Sequence, residues 1–245
     1  MICKLCNEEI ILIKAHIIPE GFFRPLRHGS TVPELHSNTT GVLPKRSPIG
    51  VYDKNILCEK CDKYLGLWDE YAHKLLIQEF SESNSVYNGS KKVAYQIISY
   101  NYEKLKLFFL SLLWRASISS QPFYKRINIG AHENILREMI INGNPGEPYD
   151  YAVSLAKFSD PRIKEMLDPH TTRFSGINYC QIYLTGFVLY IKTDKRKPPA
   201  LLEELCLNRD PPFWIILRDI NESKDGKILK TITLKAIKHK REQGA

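Results

Sequence analysis

NILCEKC (residues 55–61) and CKLC (residues 3–6) are the two stretches of sequence that decide how the N-terminal part of this chain folds. Each contains one C-x-x-C pair. Such a turn presents two thiolates to one ion, and zinc prefers four soft ligands in a tetrahedron. Two pairs in one chain therefore favour a closed, structural Zn²⁺ site over disulfides. The predicted zinc ligands are Cys3, Cys6, Cys58 and Cys61.

The sequence between the two pairs predicts a strand, a long loop and a second strand. IILIKAHIIPEGFF, residues 10–23, is an apolar, β-branched run that contains His16 and ends in breakers. Residues 27–50 are rich in Pro, Gly, Ser and Thr, which is typical of a loop, and residues 51–58 form a short strand. After Cys61 the apolar residues recur at helical spacing. The predicted order is strand, loop, strand, helix, with the metal joining the first turn to the start of the helix.

The motifs CKLC, AHIIP and NILCEKC, in this order and followed by Asp62, resemble the HNH endonuclease family, whose core is a ββα-metal fold. The resemblance covers roughly residues 1–75. It implies a metal-dependent endonuclease that hydrolyses phosphodiester bonds in DNA, most simply in double-stranded DNA. It also implies two metals: a structural Zn²⁺ that does no chemistry, and a catalytic Mg²⁺ or Mn²⁺.

The resemblance assigns roles to three residues. His16 matches the general base, since a neutral imidazole takes a proton from water near neutral pH. Asn55 matches the Asn that holds the loop and helps to orient the histidine. Asp62 stands where the family has a His or Asn that helps to bind the catalytic divalent ion, and hard Mg²⁺ or Mn²⁺ prefers oxygen ligands. The residues alone allow a plainer reading of each: a core histidine, a turn residue and a helix N-cap.

The chain departs from the family at Ala15, where many members have an Asp or another ligand directly before the histidine. Alanine cannot bind a metal, so either another residue supplies the oxygen or the module is inactive. Asp53 is the tentative replacement ligand, although it is equally explained as a turn residue. The other acids nearby are Asp69 and Glu70, which more plausibly touch the substrate side or pin the helix to the rest of the chain. His36 lies in the predicted loop.

The remainder of the chain predicts a second, larger body. Residues 1–80 form the zinc-stapled module, and residues 81–245 form an α+β body of unknown role. This body is predicted to be helical over 81–160, with a helix near 133–141, and strand-rich over 175–240, with antiparallel strands. The fold class is therefore α+β. Two lone cysteines in apolar surroundings are expected in the core, namely Cys180 and Cys206.

The net charge of +8 is unevenly distributed. Residues 1–80 hold ten basic and ten acidic residues, so the excess lies beyond them. It is densest over 192–197 and in the tail over 224–241. Such a balance favours a polyanionic partner because each neutralised phosphate releases counterions. A solvated basic surface explains it equally well.

No basic start leads into an apolar stretch, and no run of about 18 apolar residues occurs, so we expect a cytoplasmic protein without a membrane segment. Some members of the broad HNH family act in defence against phage or foreign DNA, a role that the resemblance extends to this chain. Control by a protein partner or by self-association is expected, since an unregulated nuclease harms its host. The competing hypothesis is a catalytically inactive zinc module that binds nucleic acid or a protein partner.

Overall fold

A computed structural model describes most of the chain. The described residues are 1–27, 34–36, 45–160, 163, 166–221 and 226–227. Of the basic tail over 224–241, only residues 226–227 are described, so the strand-rich prediction for this stretch stays a prediction. In the described residues, no helix is both long and apolar enough to cross a bilayer.

The described part is mixed α+β. Its strands are β1 (Ala15–His16), β2 (Glu34–His36), β3 (Lys45–Arg46), β4 (Tyr52–Asp53), β5 (Ser85–Asn88), β6 (Lys91–Ile97), β7 (Val153–Phe158), β8 (Met166–Leu167), β9 (His170–Phe174), β10 (Ile177–Leu184), β11 (Phe187–Lys192) and β12 (Phe213–Arg218). Its α-helices are α1 (Glu59–His73), α2 (Tyr102–Ile118), α3 (His132–Ile141) and α4 (Ala200–Glu204).

The N-terminal part keeps the predicted order only in outline, because each of the two predicted strands is reduced to two residues. Strand β1 pairs antiparallel with β4, and α1 begins directly after Cys58. The predicted long loop also contains β2 and β3, which pair antiparallel with each other. Strand β2 adds a parallel contact with β8 from far along the chain. The loop-like composition did not reveal these strands, which are only two or three residues long.

Helix α2 is the centre of the fold. Asn101 caps its start by accepting a hydrogen bond from the backbone N–H of Lys104 at 2.8 Å. Apolar residues extend around almost the whole helix, and even Lys106, Ser111 and Arg115 are buried. A helix that is apolar on all sides is typical of a core element packed from every direction. It contacts both α1 and α3.

A seven-stranded sheet forms the other layer, in the order β5-β6-β12-β7-β11-β10-β9. It is antiparallel except between β12 and β7. The predicted C-terminal strands β10, β11 and β12 are present, and a two-residue turn with Gly186 at φ 77° joins the first two. The stretch 81–160 was predicted helical but also contributes β5, β6 and β7. Strands β6 and β7 both pair with residues 213–218, a long-range contact that local periodicity does not reveal, and β5 pairs with β6.

One continuous hydrophobic core joins the two parts of the chain. Its cluster of buried residues includes Leu5 and Trp68 from residues 1–80, Leu113 from α2 and Leu189 from β11. Cys180 and Cys206 are buried and free, as predicted. The N-terminal module is thus packed against the body through shared core residues.

Candidate metal and catalytic site

The four predicted zinc ligands come together in the structure. Their sulfur atoms all lie within 4.8 Å of one another, and in the described residues this is the only group of three or more His, Cys, Asp or Glu side chains that could hold a metal ion. A tetrahedral site with Zn–S bonds of about 2.3 Å needs sulfurs about 3.8 Å apart. The cluster is therefore the right size for a structural Zn²⁺.

Backbone geometry prepares the first cysteine pair for an ion. Asn7 adopts a positive φ of 60°, and its N–H donates to the carbonyl oxygen of Cys3 at 2.8 Å, which closes the turn. The N–H of Cys58 donates to Cys3 Sγ at 3.4 Å. Burial alone would raise the pKa of Cys3, but backbone N–H groups from Cys6, Cys58 and Leu5 lower it to about 7. Burial raises the pKa of Cys61, so a bound cation would be needed to keep all four sulfurs ionised.

His16 ends β1, opposite Tyr52 of β4, with the two ring centroids 6.2 Å apart. Its Nε2 is shielded from solvent and has no hydrogen-bond partner in the described part of the chain. A backbone contact with Ile49 raises the pKa of the ring and so acts against the effect of burial. A core histidine with both nitrogens satisfied does not fit, because a shielded polar atom without a partner carries a free-energy cost.

Charges from three elements act on His16. Burial lowers the pKa of the ring below its usual 6.5 and outweighs the carboxylates of Glu20 and Asp62, which act in the opposite direction. The guanidinium of Arg115 lowers this pKa further. The net effect is a ring that is neutral at neutral pH. Glu20 was not singled out from the sequence, because only the chain path after Pro19 brings it near His16.

Asp62 lies in the first turn of α1, next to the last zinc ligand. The N-cap of this helix is Cys58, so the reading of Asp62 as an N-cap is wrong. Burial raises the pKa of Asp62, while the charges of Arg115 and His16 lower it. Among the described residues, no donor hydrogen-bonds to its carboxylate. A half-buried carboxylate without donors is free to bind a cation near His16.

Asp53 makes the contact of a turn residue, which is one of the two roles that the sequence allows for it. Asp53 is fully buried, and its carboxylate accepts from the N–H of Asn55 at 2.9 Å and from Ser119 Oγ, Ser120 N and Ser120 Oγ at 2.8–3.1 Å. Burial would raise its pKa, but these hydrogen bonds lower it. Asp53 therefore ties the turn before α1 to the end of α2, a task that the resemblance gave to Asn55. The Asn55 side chain is exposed and makes no hydrogen bond to the described residues.

The remaining candidates separate clearly. Asp69 forms a two-pronged ion pair with Arg115, at 2.7 and 2.9 Å, and so pins α1 to α2 as expected. Arg115 is therefore buried against an acid. Glu70 is exposed on α1. His36 lies on β2, and its Nδ1 is shielded without a partner in the described residues.

Part of the predicted basic surface is internal. Lys192 is buried, and its ammonium donates to the carbonyl oxygens of Asp194 and Arg196, each at 2.6 Å. The Arg196 guanidinium pairs with the Asp194 carboxylate at 2.7 Å. Over 192–197 only Lys195 and Lys197 remain as exposed cations without such a partner. This segment is thus better explained by folding than by contact with a polyanion.

Comparison with known proteins adds no relative. No protein-family model matches the chain, and no curated protein and no solved structure matches it either. The chain is therefore interpreted from its own motifs and geometry.

Proposed function

We propose that this protein is a divalent-metal-dependent endonuclease that hydrolyses phosphodiester bonds in DNA, with His16 as the general base. The observation that carries the proposal is the unpartnered Nε2 of His16, on the strand next to the cysteine cluster and close to the free carboxylate of Asp62. The cysteine cluster supports the proposal by fixing both residues in place through β4 and the first turn of α1.

The proposed reaction begins with a water molecule placed between His16 and the phosphorus atom. Nε2 takes a proton from the water, and the resulting oxygen attacks phosphorus. The bond from phosphorus to the leaving oxygen breaks, and the proton held by His16 can return to solvent. A Mg²⁺ or Mn²⁺ ion bound to Asp62 would stabilise the charge on the leaving oxygen. One carboxylate ligand from the protein is enough, because Mg²⁺ commonly keeps waters and takes substrate phosphate oxygens as its other ligands.

The test is cleavage of supercoiled plasmid by zinc-loaded protein with Mg²⁺ or Mn²⁺. General-base catalysis contributes about 10²–10⁴-fold, so we expect His16→Ala to lose that much rate. His132→Ala is the matched control, because His132 lies on α3, outside the site, and its Nδ1 bonds to the Tyr151 hydroxyl. Equal rates for wild type and His16→Ala would refute the assignment.

A paired comparison on one helix tests the metal role. Asp62→Asn removes the free carboxylate, whereas Glu70→Gln removes an exposed one on the same helix. We expect the first variant to need more Mn²⁺ for half-maximal rate and the second to behave as wild type. Zinc content should stay the same in both, which separates the two metal sites.

A second candidate function is a non-catalytic zinc module that binds nucleic acid or a protein partner. It is favoured by Ala15, which is buried and offers no ligand, and by the absence of a second cluster of hard ligands among the described residues. This candidate predicts no cleavage and no saturable Mn²⁺ binding near His16. It also predicts fluorescence-anisotropy binding of labelled DNA that is unaffected by His16→Ala.

Where the enzyme acts is also part of the proposal. A cytoplasmic nuclease directed at phage or foreign DNA needs control, through a regulatory protein or through self-association. Plaque assays on cells that express wild type or His16→Ala test the defence role directly. Equal plaque counts for the two would reject it.

A further inference from the structure

Arg115 has all of its hydrogen-bonding capacity used inside the fold. A guanidinium carries five N–H donors. Nε donates to the Ser111 carbonyl oxygen at 3.3 Å, and the two terminal nitrogens donate to both oxygens of Asp69 and to Ser111 Oγ. The fifth bond runs from Nη1 to the main-chain carbonyl oxygen of His16 at 3.2 Å. The side chain is 1% exposed.

This arrangement, the Arg115 clasp of Arg115, Asp69 and Ser111, joins three elements at one point. Asp69 belongs to α1, while Arg115 and Ser111 lie one turn apart on α2. The carbonyl of His16 belongs to β1. The residue that the clasp holds by its backbone is therefore the one whose side chain carries the unpartnered Nε2.

Stability alone does not explain the choice of these groups. A buried ion pair is often no better than well-packed apolar residues of the same volume, because both charges must be desolvated. The clasp instead provides direction, since the planar guanidinium fixes the angle at which β1 crosses α1 and α2. It also places a positive charge near His16, which favours the neutral imidazole.

We propose that Arg115, held by Asp69 and Ser111, is a positioning residue that sets the orientation of His16 for attack on the substrate. The catalytic part of this inference rests on the proposed nuclease function. Its structural part, that the clasp sets the state of the His16 ring, does not.

The first test removes the clasp without leaving a buried charge. In the double variant Asp69→Leu with Arg115→Met, apolar side chains of similar size replace both ions, a change that folds often tolerate. We expect a folded, zinc-bound protein whose kcat falls by about tenfold or more while KM changes little, because a small misplacement of a reacting group is costly in rate. The pH profile of cleavage should also move toward higher pH, since the charge that favours neutral His16 is gone.

A milder variant covers the case in which the double variant fails to fold. Ser111→Ala removes one acceptor of Arg115 and leaves the ion pair intact. It should lower kcat by a smaller factor with unchanged zinc content. Arg115→Lys keeps the charge but has three donors instead of five, so its kcat should lie between those of the wild type and the double variant. Arg137→Met is the matched control, because Arg137 Nε also donates to a main-chain carbonyl, that of Lys4, at 3.1 Å.

The His16 ring signal in ¹H–¹³C NMR provides a readout that needs no activity. We expect the signal to shift in the clasp variants at fixed pH, while the signal of His132 and the spectrum of Arg137→Met stay unchanged. If wild type cleaves and the clasp variants keep their kcat and pH profile, the inference is overturned and the nuclease stands. If wild type does not cleave, the proposed function fails, and an unmoved His16 signal would also overturn the role of the clasp.

Discussion

The cysteine cluster and the groups around His16 both involve the first turn of α1, but they differ in how far their polar atoms are satisfied. The cysteine cluster offers four ligands for a four-coordinate ion and leaves no position open. Beside it, the shielded Nε2 of His16 has no partner among the described residues. A complete set of contacts is typical of a part that stabilises, whereas free polar atoms in a shielded place indicate a part that binds something else.

The largest effect is expected from disrupting the cysteine cluster. Chelation of the metal, or Cys58→Ser, should unfold the N-terminal module, because apparent binding free energies of structural zinc exceed about 10 kcal/mol. Whole domains are stable by only about 5–15 kcal/mol. Thermal unfolding followed by circular dichroism, together with zinc content, measures this effect. Cys206→Ser, in the body, should retain the metal, and cooperative unfolding that persists in Cys58→Ser without zinc would contradict the prediction.

Substitution of Asp53 should have the next largest effect, because its buried carboxylate accepts four hydrogen bonds, from the turn before α1 and from the end of α2. Asp53→Asn places an amide against four donors, and we expect a loss of about 2–4 kcal/mol in the free energy of unfolding. The folded pKa lies below the usual 3.8. Its stabilisation is therefore present above pH 3.8 and is lost as the pH falls through the lower, folded value. Urea titrations at pH 7 and near pH 3 should show a smaller difference between wild type and variant at the lower pH, and exposed Asp210→Asn is the control.

The pH dependence of cleavage tests the role of His16. Since His16 must be neutral and burial lowers its pKa, the rate should rise with pH to a plateau, with a midpoint below 6.5. Glu20 raises this pKa, so Glu20→Gln should move the midpoint to lower pH at a similar plateau rate. Glu59→Gln, which removes an exposed carboxylate at the start of α1, should leave the midpoint unchanged. A midpoint above 6.5, or one that Glu20→Gln does not move, would show that another group titrates.

The smallest effect is expected at Asn55. Its side chain is exposed, and only its backbone N–H takes part in the turn, so Asn55→Ala should change stability by no more than about 0.5 kcal/mol. The cleavage rate should stay within about twofold of wild type, a much smaller change than the loss of a general base would cause. A large loss of cleavage would instead restore the role that the resemblance gives to this residue.

Much of the N-terminal module was predictable because the sequence patterns that indicate it are local. C-x-x-C spacing encodes a turn, and the breakers after His16 end the strand. The apolar spacing after Cys61 predicted α1, and α2 lies in the stretch predicted to be helical. Strand β6 was missed because one of its partners, β12, lies more than a hundred residues away. Strand β5 pairs only with β6 and was missed together with it. The same distance in sequence hid the contact between Arg115 and the backbone of His16.

The sequence alone identified the four cysteines that cluster, the strand that carries His16 and the α+β class, since each depends on residue type at short spacing. The tertiary structure decided which polar groups are satisfied and which are free. It gave the loop-holding task to Asp53 instead of Asn55, buried Arg115 against Asp69, and removed Lys192 from the surface. The reason is physical: the free energy of a buried polar group depends on partners that only long-range packing brings within hydrogen-bonding distance.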